Sequence, residues 1–202
     1  MKHPPWDQRA ARYLVRPLAR TSITPNQVTI ATLLIAVGGA ALMAAGRPAL
    51  LNWGASIFVV ARFLDHCDGE LARQTNQTSR LGYYLDYFAG MVSYAALFLC
   101  IGFGLRNGPL GEWSVAIGGI ASAVAIGAFF VNLRIDHAQG GDTTGEAVGY
   151  PGFAGFELED GIYLIAPITW LGWVDWFFAA AGAGAVAHMA WTFFTLVKAR
   201  RR

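Results

Sequence analysis

Charged side chains are scarce in this chain of 202 residues: they make up 14% of it, while hydrophobic residues make up 55%. Soluble domains carry about 25% charged residues, so this balance argues against an ordinary soluble fold. Neither sign of charge dominates, because 15 lysines and arginines face 13 acids. There is thus no basic excess of the kind a nucleic-acid binder needs, and nucleic acid is not expected as a partner. Cysteine is nearly missing. Cys67 and Cys100 stand apart with no Cys-x-x-Cys pair, which argues against a disulfide framework or a zinc site and leaves both as small buried residues. No internal repeat is visible.

What the chain does have is long apolar sequence. Charge-free runs occupy residues 21–46, 87–105, 113–133 and 176–197, each near or above the roughly 18 residues that a membrane-spanning helix needs. Two shorter runs, 48–61 and 161–174, are extended by polar sequence: Arg62 to Arg73 after the first, and Glu157, Glu159 and Asp160 before the second. The expectation is an all-α integral membrane protein with six transmembrane helices, forming a single membrane domain over residues 1–202. The spans fall at about 24–46, 48–73, 81–105, 111–135, 155–172 and 174–198. Twelve of the 15 lysines and arginines lie on one side of this arrangement, so both termini are expected on the cytoplasmic side of the inner membrane.

Residues 5–20, PWDQRAARYLVRPLAR, set Trp6, Tyr13, Leu14 and Val15 among four arginines. That pattern suits a short amphipathic helix lying on anionic headgroups, or a simple positive anchor. The first apolar run follows a polar leader without a small-residue cleavage pattern and reads as a permanent span. Residues 139–155 are rich in glycine and polar groups and read as a mobile cytoplasmic connection. The runs GGAALMAAG and AAAGAGAVA supply small residues that let membrane helices approach closely. Trp170, Trp173 and Trp176 fit an aromatic belt at the outer surface. His188 reads as a packed histidine on an apolar helix, and His137 as a solvated one.

Charges at membrane depth mark a site by default. In RFLDHCDGELAR, Asp65, Asp68, Gly69 and Ala72 share one helix face, with Arg73 at its margin. Two carboxylates one turn apart repel each other unless a cation lies between them, and oxygen ligands suit Mg²⁺ or Mn²⁺. A third acid, Asp86, lies in the next span between Gly82 and Gly90 at intervals of four. That stripe can press against the preceding helix and gather three aspartates at the cytoplasmic surface. Thr24, Pro25 and Asn26, read first as a helix-entry signal, and Glu157, Glu159 and Asp160 fall on the same side.

The stretch DHCDGELARQTNQTSRLGYYLD resembles the signature of the CDP-alcohol phosphotransferase (CDP-alcohol phosphatidyltransferase) family, D-x2-D-G-x2-A-R-x8-G-x3-D-x3-D. Asp65, Asp68, Gly69, Ala72, Arg73, Gly82 and Asp86 match in place. The six spans and the TPNQVT entry are also similar to the family, and DGELAR is similar to members that handle inositol-phosphate-type acceptors. The resemblance implies transfer of a phosphatidyl group from a CDP-linked lipid such as CDP-diacylglycerol to an alcohol or polyol phosphate, with release of CMP. It implies that Asp65, Asp68 and Asp86 bind Mg²⁺ or Mn²⁺. It also implies that Asp65, Gly69, Ala72, Arg73 and Asn26 line the CDP diphosphate site, that Gly82 permits close helix packing, and that the protein is a homodimer in the bilayer.

One position departs from the pattern. Four residues after Asp86, where the family carries a fourth aspartate that serves as proposed base and metal ligand, this chain has Gly90. Three readings follow: an active transferase whose base is His66, Tyr87, Glu157, Asp160 or the acceptor's own phosphate; a pseudoenzyme that binds metal and CDP-lipid; or a membrane scaffold. Retention of the other seven positions argues against the scaffold.

Overall fold

The computed structural model describes residues 6–139, 152–153 and 156–200. It is helical apart from one pair of two-residue antiparallel strands, β1 (Gly152–Phe153) and β2 (Phe156–Glu157). The helices are α1 (Trp6–Leu18), α2 (Pro25–Met43), α3 (Pro48–Thr75), α4 (Arg80–Gly104), α5 (Trp113–Gln139), α6 (Ile165–Trp170) and α7 (Val174–Arg200). A 3-10 segment, Leu158–Leu164, runs directly into α6.

Local sequence sets the helix ends. Proline opens both α2 and α3, where its missing N–H costs nothing. Thr24 caps α2 in a reciprocal box with Gln27: the Gln27 N–H donates to Thr24 Oγ1 at 3.4 Å, and the Thr24 N–H donates to Gln27 Oε1 at 2.9 Å. This bears out the helix-entry reading of Thr24 and Pro25. Asn76 stops α3 in the left-handed conformation, φ 53°, a geometry asparagine tolerates. Ser79 then caps α4 by accepting the Gly82 N–H at 3.0 Å.

Among the described residues, three helices are long and apolar enough to cross a membrane: Pro25–Met43, Arg80–Gly104 and Trp113–Arg134. The expected fifth span, 155–172, takes a different form. It starts as a 3-10 segment and becomes a six-residue α-helix. Pro167 cannot donate to the carbonyl four residues back, and it sits in the first turn of the new helix, where that loss is tolerated. Most of the expected connection over 139–155 lies outside the described residues.

An apolar core that includes Met43, Phe58, Leu97, Ile101 and Phe178 is accompanied by buried polar groups and exposed apolar ones. Buried positions include Thr29, Thr32, Arg62, Asp68, Glu70, Ser93 and Ser122, whereas Leu34, Val60, Phe88, Phe130 and Trp113 are exposed. Apolar surface can face lipid at no cost, while polar groups need partners inside. Both cysteines are free; Cys67 is buried as expected, whereas Cys100 is only half-buried.

Helix α3 is central, with α1, α2 and α6 packed on it; α2 also meets α4, α4 meets α5, and α5 meets α7. At one end α2 and α3 touch backbone to backbone. A Cβ on Gly39 would lie 2.9 Å from the Gly54 carbonyl oxygen and 2.9 Å from the Phe58 nitrogen. At the other end α1 docks on α3, where Ala11 and Val15 cover Cys67 and Leu71 while Tyr13 and Leu14 remain exposed. An amphipathic helix thus lies beside the polar end of α3.

Candidate active site

The polar end of the α2–α3–α4 bundle brings three carboxylates together. One oxygen each from Asp65, Asp68 and Asp86 lie within 4.8 Å of one another. Asp65 and Asp68 sit one turn apart on α3, and Asp86 enters from the first turns of α4. The α2 helix supplies hydroxyls. Thr29 donates to Asp68 Oδ2 in a short hydrogen bond, and Thr32 donates to Asp65 Oδ1 at 3.3 Å. The other Asp68 oxygen accepts the Gly69 N–H at 2.5 Å. These contacts hold the α3 carboxylates in one orientation, as outer-shell groups do around a metal.

A cation already touches the cluster. Arg62, one turn from Asp65 toward Pro48, donates from Nη1 to Asp65 Oδ2 at 2.7 Å, both side chains nearly buried. Its guanidinium carbon stands 5.1 Å from the centre of the Tyr94 ring on α4, a cation–π contact that is strong where water is excluded.

The donor set fits Mg²⁺ or Mn²⁺. Ligands around an octahedral Mg²⁺ lie at about 2.1 Å, so opposite oxygens are about 4.2 Å apart. The spacing of the three carboxylates is close to that, and hard carboxylate oxygens with no sulfur or imidazole among them are the chemistry these ions prefer. Cys67, adjacent to Asp68 in sequence, packs instead toward α1.

Beyond the carboxylates, one glycine on α3 and one on α4 border open space. A Cβ on Gly69 would meet only the Arg73 guanidinium, at 3.6 Å and beyond. A Cβ on Gly90 would meet nothing within 4 Å. Gly82 differs, since its Cβ would reach Asn26 Oδ1 at 3.1 Å and Ser79 Oγ at 3.2 Å, so it lies at the contact between α2 and α4. Asn26 therefore faces α4, at the head of α2 one turn before Thr29.

Arg73 is held by a carboxylate. Its Nε and Nη2 donate to Glu70 Oε2 at 3.2 and 3.0 Å, while Arg12 Nε from α1 and Gln74 Nε2 donate to Glu70 Oε1 at 3.2 and 3.0 Å. The Glu70 side chain is 5% exposed, against 41% for Arg73 and 51% for Arg12. One buried acid thus presents two guanidinium groups to the outside and ties α1 to α3.

The residues weighed for proton transfer separate. His66 is half-buried on α3, within electrostatic reach of Asp86. The Tyr87 ring packs 5.0 Å from Tyr83 and 6.2 Å from Phe129, centre to centre. Glu157 falls in β2 and Asp160 in the 3-10 segment; their side chains, with those of Glu159 and His188, lie outside the described residues. Ala72 is half-buried. His137 is exposed and shares a hydrogen bond with the Tyr84 hydroxyl at 3.1 Å.

Four residues of this end were not singled out from the sequence: Thr29, Thr32, Arg62 and Glu70. The threonines had a signal, since Pro25, Thr29, Thr32 and Ala36 form one stripe of α2. Arg62 had one in its i, i+3 spacing to Asp65.

A bundle with three convergent aspartates and glycines beside them defines a class. The sequence profile described as CDP-alcohol phosphatidyltransferase matches residues 22–197, and the chain belongs to that family. Archaetidylinositol phosphate synthase of Pyrococcus horikoshii is 30% identical over 173 residues, 79% of this chain and 85% of that one. A bifunctional IPC transferase and DIPP synthase of Rubrobacter xylanophilus is 30% identical over 138 residues, 68% of this chain and 23% of that one. Among solved structures, Mycobacterium tuberculosis phosphatidylinositol phosphate synthase with CDP-DAG bound aligns over 93% of this chain and 94% of its own, with a TM-score of 0.65 and 22% identity. The same enzyme in complex with manganese and citrate aligns over 94% of this chain and 89% of its own, with a TM-score of 0.61. At that identity the likeness speaks for the fold.

Proposed function

We propose that this protein transfers a phosphatidyl or similarly substituted phosphate group from a CDP-linked lipid to an alcohol, releasing CMP, in phospholipid synthesis. The observation that carries this reading is the convergence of Asp65, Asp68 and Asp86 within 4.8 Å beside the open faces of Gly69 and Gly90. The names of the two curated relatives and the CDP-DAG in the neighbouring structure support it.

In this reading the chain is one membrane domain. It crosses the inner membrane six times, with the 3-10 segment and α6 as the short fifth span, and both termini and the site face the cytoplasm. Helix α1 rests on the headgroups with Tyr13 and Leu14 outward, and the protein forms a homodimer. Asp65, Asp68 and Asp86 hold Mg²⁺ or Mn²⁺, which when bound neutralises charge on the diphosphate and on departing CMP. Asp65, Gly69, Ala72, Arg73 and Asn26 line the diphosphate site, where glycine lets the phosphates approach the backbone and Arg73 offers a planar pair of donors.

The chemical step is a displacement at phosphorus. The acceptor oxygen forms a bond to the lipid-bearing phosphorus, the bond from that phosphorus to the CMP oxygen breaks, and CMP leaves with the electron pair. The acceptor hydroxyl proton passes to a base. With no carboxylate at position 90, this reading gives the proton to His66, on α3 next to Asp65. A phosphorylated acceptor, such as an inositol phosphate, can instead use its own phosphate.

Gly90 also supports a second reading, a pseudoenzyme that binds metal and CDP-lipid without efficient turnover. The test is CMP release from CDP-diacylglycerol with Mg²⁺ or Mn²⁺ across a panel of alcohols and polyol phosphates, for the wild type and Gly90→Asp together. Acceptor-dependent CMP from the wild type supports the transferase. CMP from the variant alone supports the pseudoenzyme, and silence from both contradicts the assignment of CDP-lipid chemistry.

A further inference from the structure

Arg62 and Gly90 occupy matching levels of the bundle. Arg62 lies one turn from Asp65 toward the far end of α3, and Gly90 lies one turn from Asp86 toward the far end of α4. The stripe Gly82, Asp86, Gly90, Tyr94 runs down one side of α4 at intervals of four. The Arg62 guanidinium reaches Asp65 at 2.7 Å and the Tyr94 ring at 5.1 Å, so it spans from α3 to α4 around the level of Gly90. A side chain at position 90 would begin in open space there.

Charge and geometry then agree. Three carboxylates and one guanidinium sum to −2, the charge that a single divalent ion cancels. Two ions in a shared site stand about 3.5–4 Å apart and need bridging and terminal oxygens on both. The cluster has three carboxylates confined within 4.8 Å, and one oxygen of Asp65 already accepts from Arg62. At the level where a further carboxylate would extend the site, the chain has a glycine and a fixed monocation.

We infer that the Arg62 guanidinium stands in for a second divalent ion, so that the carboxylate cluster binds one Mg²⁺ or Mn²⁺ per chain. This rests on the metal site proposed above. Arg62 is thereby a positioning residue: it fixes Asp65 and limits the ion count, and its contact with the Tyr94 ring holds it in place.

The test is a Mn²⁺ titration of the purified full-length protein in detergent, counting free ion by its EPR signal and recording the bound spectrum. Sites belonging to the cluster are those lost in Asp68→Ala. The expected result is one such site per wild-type chain with the spectrum of an isolated ion, and two, with a spin-coupled spectrum, in the double variant Arg62→Gln, Gly90→Asp. Two coupled ions in the wild type, both lost in Asp68→Ala, would overturn the inference while leaving the proposed metal site in place, and this outcome does not depend on the double variant. A wild-type chain with no site lost in Asp68→Ala would overturn the metal site as well. A folded, monodisperse double variant that still takes one ion would overturn the role given to Arg62.

Discussion

The two ends of the α2–α3 pair use glycine for opposite purposes. Near the α2–α3 turn, Gly39 and Gly54 bring backbones into contact, and a Cβ on Gly54 would come within 2.5 Å of the Gly39 carbonyl oxygen and of the Met43 side chain. At the other end Gly69 and Gly90 border space, with nearest atoms at 3.6 Å and beyond 4 Å. One end is closed by van der Waals contact, which is what holds helices together where lipid offers no hydrophobic contrast. The other is held by charge and hydrogen bonds, Thr29 to Asp68, Thr32 to Asp65 and Arg62 to Asp65, and leaves room for a ligand. A rigid end thus fixes the helix angle for an end that must stay open.

Substitutions that separate the two ends sharpen this contrast. The largest effect is expected for Asp68→Ala, which removes a proposed metal ligand. CMP release should fall by more than the ~10–100-fold that loss of an outer-shell partner costs, with little change in apparent melting temperature in detergent. Thr29→Val keeps the shape of the side chain and removes its hydrogen bond to Asp68; Mn²⁺ affinity should weaken by ~10–100-fold, measured by titration. Gly54→Leu acts at the closed end, where overpacking costs about 1–3 kcal/mol. It should lower the melting temperature while leaving the Mn²⁺ count per folded chain unchanged, and a changed count would break the separation of the two ends. The smallest effect is expected for Thr24→Ala, which removes the α2 cap and costs about 1 kcal/mol, read as a modest drop in melting temperature.

Much of this was visible in the sequence because apolar periodicity and helix-end residues are local. Helices α2, α3, α4 and α5 lie where segments 24–46, 48–73, 81–105 and 111–135 are expected to be helical, and α1 lies within the amphipathic stretch 5–20; of these, α2, α4 and most of α5 are long and apolar enough to cross a membrane. The fifth segment was less legible, since apolar length does not distinguish a continuous α-helix from a 3-10 start, Leu158–Leu164, that passes into a short α-helix. At the site, Asp65 and Asp68 could be grouped because they share one helix face, and Asp86 because it lies just across the helix junction that follows. Thr29 and Thr32 could not, because a threonine in an apolar helix ordinarily bonds a carbonyl of its own helix. Both do so here, to Pro25 O at 3.2 Å and Thr29 O at 3.0 Å. Only the docking of α2 on α3 gives them a second partner. Glu70 was hidden for the same reason, as its contact with Arg12 joins residues 58 apart in sequence. The pairing of Arg62 with Asp65 has a local i, i+3 signal, but its contact with Tyr94 on α4 does not.

The most direct test of the account is equilibrium binding of CDP-diacylglycerol to the protein in nanodiscs, with and without Mn²⁺, for the wild type, Asp68→Ala and Gly54→Leu. The account predicts binding that requires Mn²⁺ in the wild type, persists in folded Gly54→Leu and is lost in Asp68→Ala. Binding that is unchanged in Asp68→Ala, or indifferent to Mn²⁺ in the wild type, would contradict the claim that the open end of the bundle is a metal-dependent CDP-lipid site.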